Sequence, residues 1–334
     1  MTTASSDGPL HDRLTIVDGV CPLMQTPSAW DAYIAGGADI VAPTVANAEG
    51  VEQTMVLLGR WFRWLEEDRE RLMHVASTAQ LREAALSDRL GIVFHFQDTA
   101  PLGGDVSMLE VYRRLGVMMI QLTYNRRNAV GDGSTEPENA GLSSYGHDVV
   151  REMNRLGIIV DLSHTGYRTT MDAIEASRSP VVFSHSNALA LHTNPRNIAD
   201  DQARAAAATG GLVGVNAFPA FLTDAPRATV AHVVDHIEHW LGLIGPEHVA
   251  IGLDYYDGGT PEVYAEMIRS GLWTTDTYPL PPHPFPEGIE DPSRLGNLTA
   301  EMERRGFDER TIANIMGANW MRLFENVWSD PDAW

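Results

Sequence analysis

The chain has 334 residues, 44% of them apolar, and a formal net charge of −21, a balance that argues against nucleic acid as a partner because phosphate-backbone affinity comes from basic residues that release counterions. No run approaches the roughly 18 to 20 uninterrupted apolar residues needed to span a bilayer, so no membrane segment is expected. The absence of lysine removes Schiff-base and P-loop chemistry, and Cys21, the sole cysteine, excludes an intrachain disulfide and a thiolate cluster, so a bound metal must rest on His, carboxylate, amide or water.

Residues 1–13 are polar and show no apolar core or cleavage-site pattern, which leads us to expect a cytoplasmic location. Short β-branched runs then alternate with helical patterns along the chain. A strand is expected at 14–20 and another at 39–45, followed by a helix over 50–72. Strands at 91–96 and 117–122 precede a helix at 145–156, and a strand at 158–162 precedes a helix at 170–176. A strand at 181–184, a helix at 202–209, a strand at 212–216, a helix at 229–243 and a strand at 249–253 complete the series. The Pro-rich stretch 278–292 reads as a loop over the mouth of the fold, and residues 310–327 as a closing helix with Ile312, Ile315, Met316, Trp320, Leu323 and Phe324 on one face. Eight strand and helix units without a Gly-x-Gly-x-x-Gly turn favour a closed α/β barrel of the (β/α)8 TIM type over an open doubly wound sheet. One domain over residues 1–334 is expected.

In such a barrel the chemistry stands at the C-terminal strand ends. Polar residues follow the apolar runs there: His95, Gln97 and Asp98; Tyr124 and Asn125; Ser163 and His164; Ser184 and His185; and Asp254. Taken singly, each histidine reads equally well as a buried imidazole bonded to a neighbour. Two histidines on adjacent strand ends with an aspartate two strands later make up the ligand set of a divalent-metal hydrolase. The spacing of His232, His236 and His239 reads instead as a solvated helix face, since no His-Glu-x-x-His pattern accompanies it.

The segments Gln-Leu-Thr-Tyr-Asn at 121–125, Gly-Leu-Ser-Ser-Tyr-Gly at 141–146, Val-Asp-Leu-Ser-His at 160–164 and Ser-His-Ser-Asn at 184–187 carry a resemblance that runs over about residues 15–328. Pro-Arg-Asn at 195–197, Gly-Leu-Asp at 252–254 and Met-Gly-Ala-Asn-Trp at 316–320 add to it. Together they resemble the membrane dipeptidase family, peptidase family M19. The resemblance implies a barrel with two zinc ions bridged by a glutamate, a homodimer, and hydrolysis of dipeptides or related amides. It assigns His164 and His185 to the second metal, Asp254 to the first metal and the proton, and Arg196 to the substrate carboxylate.

The first strand departs from the family's Asp-Gly-His-x-Asp, reading Asp18, Gly19, Val20, Cys21, Pro22, so both ligands of the first metal are missing. Gln97 takes the place of the bridging glutamate, and Tyr124 that of a substrate-contacting histidine. What remains suits one zinc ion, or none, on His164, His185 and an oxygen of Gln97, Asp98 or Asp254. Asp254 then serves as general base and acid with Tyr124 as a second catalytic residue, and Tyr124 and Asn125 serve as substrate contacts beside Arg196. Cys21 reads as a small buried hydrophobe before it reads as a ligand or nucleophile. The leading expectation is a one-metal amide hydrolase acting on a small carboxylate-bearing substrate. A lyase or isomerase on the same barrel, or a non-catalytic binder, are the alternatives.

Overall fold

The structure, a computed structural model, describes residues 9–22, 29–256 and 261–328. In chain order the elements are β1 (Val17–Cys21), α1 (Ala29–Ala35), β2 (Ile40–Ala46), α2 (Val51–Glu67), β3 (Leu72–His74), α3 (Thr78–Ala84), β4 (Leu90–Ile92) and β5 (Phe94–Phe96). They continue with α4 (Met108–Arg114), β6 (Val117–Gln121), α5 (Ser144–Leu156), β7 (Ile159–Asp161), α6 (Tyr167–Ala176) and β8 (Val181–Phe183). The last are α7 (Asp200–Ala208), β9 (Leu212–Val215), α8 (Val230–Ile244), β10 (Val249–Ile251), α9 (Pro261–Arg269), α10 (Gly296–Arg304), α11 (Glu309–Ala313) and α12 (Asn319–Val327).

Every strand pair is parallel, and β1, β2, β5, β6, β7, β8, β9 and β10 follow one another around the barrel in sequence order. All eight expected strands are present. Consecutive parallel strands require a crossover, and the intervening helices supply it on the outside. The seam between β10 and β1 has no regular ladder. There the Asp254 N–H donates to the Val20 carbonyl at 3.2 Å and the Leu253 N–H donates to Asp18 Oδ1 at 2.8 Å.

The structure corrects the reading of residues 50–96. The expected helix stops at Glu67 because a turn follows, in which Arg71 pairs with Asp68, and β3 begins at Leu72. The expected strand at 91–96 is two strands: β4 pairs with β2 and β3, while β5 pairs with β2 and β6. The switch comes at Val93, whose N–H donates to the Val41 carbonyl at 2.9 Å.

Local chemistry sets the helix ends. In α5, Ser143 Oγ accepts from the Gly146 N–H at 2.9 Å, and Gly157 ends the helix at φ 66°, a left-handed conformation that suits a residue without Cβ. The segment expected as one helix over 310–327 is interrupted by a π-helical turn at Asn314–Ala318. That turn lets Trp320 reach into the barrel floor, where its Nε1 donates to the Ile251 carbonyl at 2.9 Å. The indole fills the space above Gly19, where a Cβ would lie 2.2 Å from the ring. The Pro-rich stretch contains no helix or strand from 279 to 291, and it packs Phe285 and Ile289 inward.

Two apolar layers result. Ile40, Met118, Ile159, Val182 and Leu212 fill the barrel with Trp320, Leu323 and Phe324 beneath them, while a larger layer lies between the strands and the outer helices. Each such large side chain removed from water contributes about 1.5–3 kcal/mol, which holds the strand ends rigid enough to aim polar groups. No helix among the described residues is long and apolar enough to cross a membrane.

Candidate active site

Among the described residues, the non-glycine positions with positive φ are Asn125 (61°), His164 (60°) and Asp254 (59°), just beyond β6, β7 and β10. The left-handed conformation costs about 1–2 kcal/mol for a residue with a Cβ. Their clustering at one end of the barrel marks where the fold sustains strain in order to aim side chains.

His164 and His185 approach with their Nε2 atoms 2.9 Å apart. Each imidazole has its other nitrogen committed. Asn125 Nδ2 donates to the Leu272 carbonyl at 2.8 Å, which turns Asn125 Oδ1 toward His164 Nδ1, also at 2.8 Å, so the proton of His164 lies on Nδ1. Ser184 Oγ donates to Asp161 Oδ2 at 2.6 Å, so at 2.6 Å from His185 Nδ1 it accepts, and the proton of His185 also lies on Nδ1. Burial, joined by the nearby Arg196 guanidinium, holds both rings well below the ordinary histidine range, and both are neutral. Two buried lone pairs therefore face one another with no proton between them, an arrangement worth about 1–3 kcal/mol of penalty per group unless a cation accepts both.

Two nitrogens on one tetrahedral zinc lie about 3.3 Å apart, so the pair needs to open by only about 0.4 Å. The bonds on Nδ1 match the outer contacts that orient metal-binding histidines. These residues fit one cation. The position of a first metal does not fit: Val20 is fully buried and apolar, Pro22 has no donor, and Gln97 is uncharged. No group of three or more His, Cys, Asp or Glu side chains among the described residues is placed to hold a metal ion.

Beneath the pair, burial favours a neutral Asp161, but His95, His185 and Ser184 outweigh it and hold the carboxyl far below its usual range. His95 Nε2 lies 3.2 Å from Asp161 Oδ2. His95 therefore belongs to the support under His185, away from the cavity. Asp161 was not singled out from the sequence, although a carboxylate inside an apolar strand signals a buried partner.

A cavity of about 310 Å³ opens above, lined by Gln97, Tyr124, His164, Phe218, Asp254 and Tyr278, with Glu49, Asn47 and Pro22 among its further walls. Burial pushes Asp254 up to about 7, against the pull of Arg196 and of Asn216, whose Nδ2 donates to Asp254 Oδ2 at 3.0 Å. Tyr124 stacks on His164 with ring centroids 4.1 Å apart, and its hydroxyl accepts from Trp273 Nε1 at 3.0 Å. Burial raises that phenol well above 10, so it stays protonated. Arg196 lines a second cavity of about 360 Å³ on the other side of His164, together with Ser134, Thr165 and Asn194. It is 2% exposed, has no carboxylate partner among the described residues, and its Nε lacks a hydrogen bond.

Three expectations change. Asp98 does not face the histidines: its carboxylate accepts from the Tyr124 N–H at 2.8 Å and the Ala100 N–H at 2.7 Å, fixing the loop. Asn125, expected to contact substrate, is fully buried and positions His164. The histidines of α8 are not a solvated face, since His236 is 1% exposed and His239 bonds Asp200 at 2.8 Å. Cys21 is buried in the apolar layer, and burial followed by the Asp18 charge raises its thiol well above 9, so no thiolate is available.

The model of the membrane dipeptidase family, peptidase family M19, matches residues 28–270 and 282–330. Dipeptidase tcpJ of Claviceps purpurea is 36% identical over 230 residues, covering 68% of this chain and 48% of the relative. Dipeptidase aclJ of Aspergillus oryzae is 30% identical over 308 residues, covering 89% and 66%. The chain thus spans about half to two thirds of the length of these curated relatives. Among solved structures, an amidohydrolase from Pseudomonas aeruginosa superposes with a TM-score of 0.88 at 30% identity, over 96% of this chain and 98% of that one. A metallopeptidase from Rhodobacter sphaeroides bound to a phosphinate mimic of L-Ala-D-Ala shares the fold with a TM-score of 0.79 at 22% identity, over 94% and 99%. With the family match over nearly its whole length, this chain belongs to the membrane dipeptidase family, peptidase family M19.

Proposed function

We propose that the chain hydrolyses the amide bond of dipeptides or related small substrates with a free carboxylate, using one divalent cation, zinc, held by His164 and His185. The observation that carries this reading is the pair of Nε2 lone pairs 2.9 Å apart with both Nδ1 protons engaged elsewhere. When bound there, the cation supplies Lewis-acid activation of the attacking water.

The protein's own groups do the rest. Arg196 offers a buried guanidinium, held by a hydrogen bond from Nη2 to the His185 carbonyl at 3.4 Å and facing no carboxylate among the described residues, that takes the substrate carboxylate bidentately. Asp254, pushed up to about 7, accepts a proton from the water and returns it to the leaving nitrogen. The Tyr124 ring braces His164, and the stacked rings of Trp273 and Tyr278, 4.4 Å apart, keep water out on that side. A homodimer belongs to the same reading, on the family likeness alone.

Metal analysis of protein purified without chelator, with hydrolysis of L-L and L-D dipeptides measured with and without zinc, tests it. About one zinc per chain and zinc-dependent cleavage are expected. Two ions per chain would overturn the one-cation site, and neither metal nor cleavage would overturn the hydrolase.

A further inference from the structure

Gln97 takes the position at which the family resemblance implies a bridging glutamate. Its main chain is pinned on both sides: its N–H donates to the Ala46 carbonyl at 2.9 Å, and its carbonyl accepts from Gln121 Nε2 at 2.6 Å. Its side chain is not pinned. The residue is 4% exposed and lines the cavity shared with His164, Tyr124 and Asp254, yet among the described residues its buried Nε2 has no hydrogen-bond partner. Side chains that bind metal are oriented by a second hydrogen bond, as both histidines are. Gln97 lacks one, and a neutral carboxamide beside two imidazoles is a weak zinc ligand.

We propose that Gln97 binds the substrate rather than the metal: its Nε2 donates a hydrogen bond to the scissile carbonyl oxygen, replacing with a neutral donor the charge that a first cation would provide. The proposal rests on the hydrolase reading above. As the water oxygen adds to the carbonyl carbon, the C=O π pair moves onto oxygen and Gln97 Nε2–H meets the growing charge. The water's proton passes to Asp254 and on to the leaving nitrogen as the C–N bond breaks. Pro22 then has a clear role as an inert wall of the cavity, and Val20, fully buried, adds no ligand there, since a cation beside the carboxamide would compete with it for the same oxygen.

Gln97→Met and Gln97→Glu, compared with wild type in zinc-loaded protein, test this. Three measurements are needed: the zinc dissociation constant, kcat and KM on a cleaved dipeptide, and calorimetric binding of a phosphinate analogue of that dipeptide. The proposal expects kcat to fall by about 10²–10³ in Q97M with KM nearly unchanged. Phosphinate affinity falls by about 10² or more in Q97M and further in Q97E, whose carboxylate repels the anionic probe. Zinc affinity holds in Q97M and holds or tightens in Q97E. A Q97E enzyme that binds zinc, phosphinate and substrate better than wild type would show that Gln97 ligates the cation, and a Q97M enzyme equal to wild type would show a spectator. Either result overturns the proposal while leaving the hydrolase intact. Wild-type protein that binds neither zinc nor phosphinate and cleaves nothing overturns both.

Discussion

Replacing Asp254 with Asn separates what this carboxyl does for chemistry from what it does to the fold. Burial raises it from its ordinary 3.8 to about 7. An acid raised on folding binds its proton more tightly in the native state, so its stabilising contribution is complete below 3.8 and is lost as pH rises to about 7. At about 1.4 kcal/mol per pH unit, the loss comes to about 4 kcal/mol above neutrality. Asn keeps the neutral form at every pH and can still accept from Asn216. The variant is therefore expected to equal wild type near pH 3.8, to gain on it through the acid range, and to level off at about 4 kcal/mol above pH 7. With an unfolding entropy of about 2.1 cal/mol/K per residue, that gap raises Tm by about 6 °C. Thermal unfolding of both proteins in chelator from pH 4 to pH 8 measures it, and Asp18, also pushed up to about 7 chiefly by burial, largely cancels because both proteins carry it. A gap that is constant with pH, or a variant less stable than wild type at pH 8, would refute the placement of Asp254 as a carboxyl held neutral by its surroundings. Hydrolysis by the variant should drop by at least about 10², the low end for a general acid and base.

For the wild-type enzyme, kcat/KM should fall tenfold per pH unit on the acid side of a limb at or below 7, since a cation on the histidine pair lowers the Asp254 value; a profile flat down to pH 5 would remove Asp254 as the base. Ser184→Ala leaves the His185 Nδ1–H and Asp161 without their shared hydroxyl, and zinc affinity by competition with a chromophoric chelator should weaken about 10–100-fold. Arg196→Lys keeps the charge but loses the planar fork, so KM should rise about tenfold or more for a dipeptide with a free carboxylate and stay unchanged for its C-terminal amide.

The barrel is legible in the sequence because most strands are apolar runs bounded by polar residues, with Asp18 in β1 and His95 in β5 as polar residues inside them, and the departures from the expected elements have local causes. The three-residue strand β3 is too short to show periodicity, and residues 90–96 look continuous although the chain changes partners at Val93. The π-helical turn is invisible because Ile312, Ile315 and Met316 keep a helical spacing through it. At the site, position along a strand end identified which residues face the cavity, and His164, Gln97, Tyr124 and Asp254 line it. Position could not distinguish Asp98 from Gln97, its neighbour, because the difference lies in which backbone amides are close enough to capture a carboxylate. Nor could it assign Asn125 or Asp161, whose task is to fix where a proton sits on another ring.

The barrel seam has a dynamic consequence. Neighbouring strands elsewhere share ladders, but β10 meets β1 through the Asp254 amide and through a side chain, Asp18, that takes the Leu253 amide. Amide exchange should therefore be faster at Leu253 and Asp254 than at Leu162, whose N–H is held by the Val182 carbonyl at 2.7 Å within the β7 to β8 ladder. Opening at this seam is expected to displace Asp254 while His164 and His185 stay at the ends of the paired strands β7 and β8. On the reading proposed above, the carboxylate assigned as base and the imidazole pair assigned to the cation thus reside in parts of the molecule with separate opening rates, so that the first can be displaced while the second keeps its place.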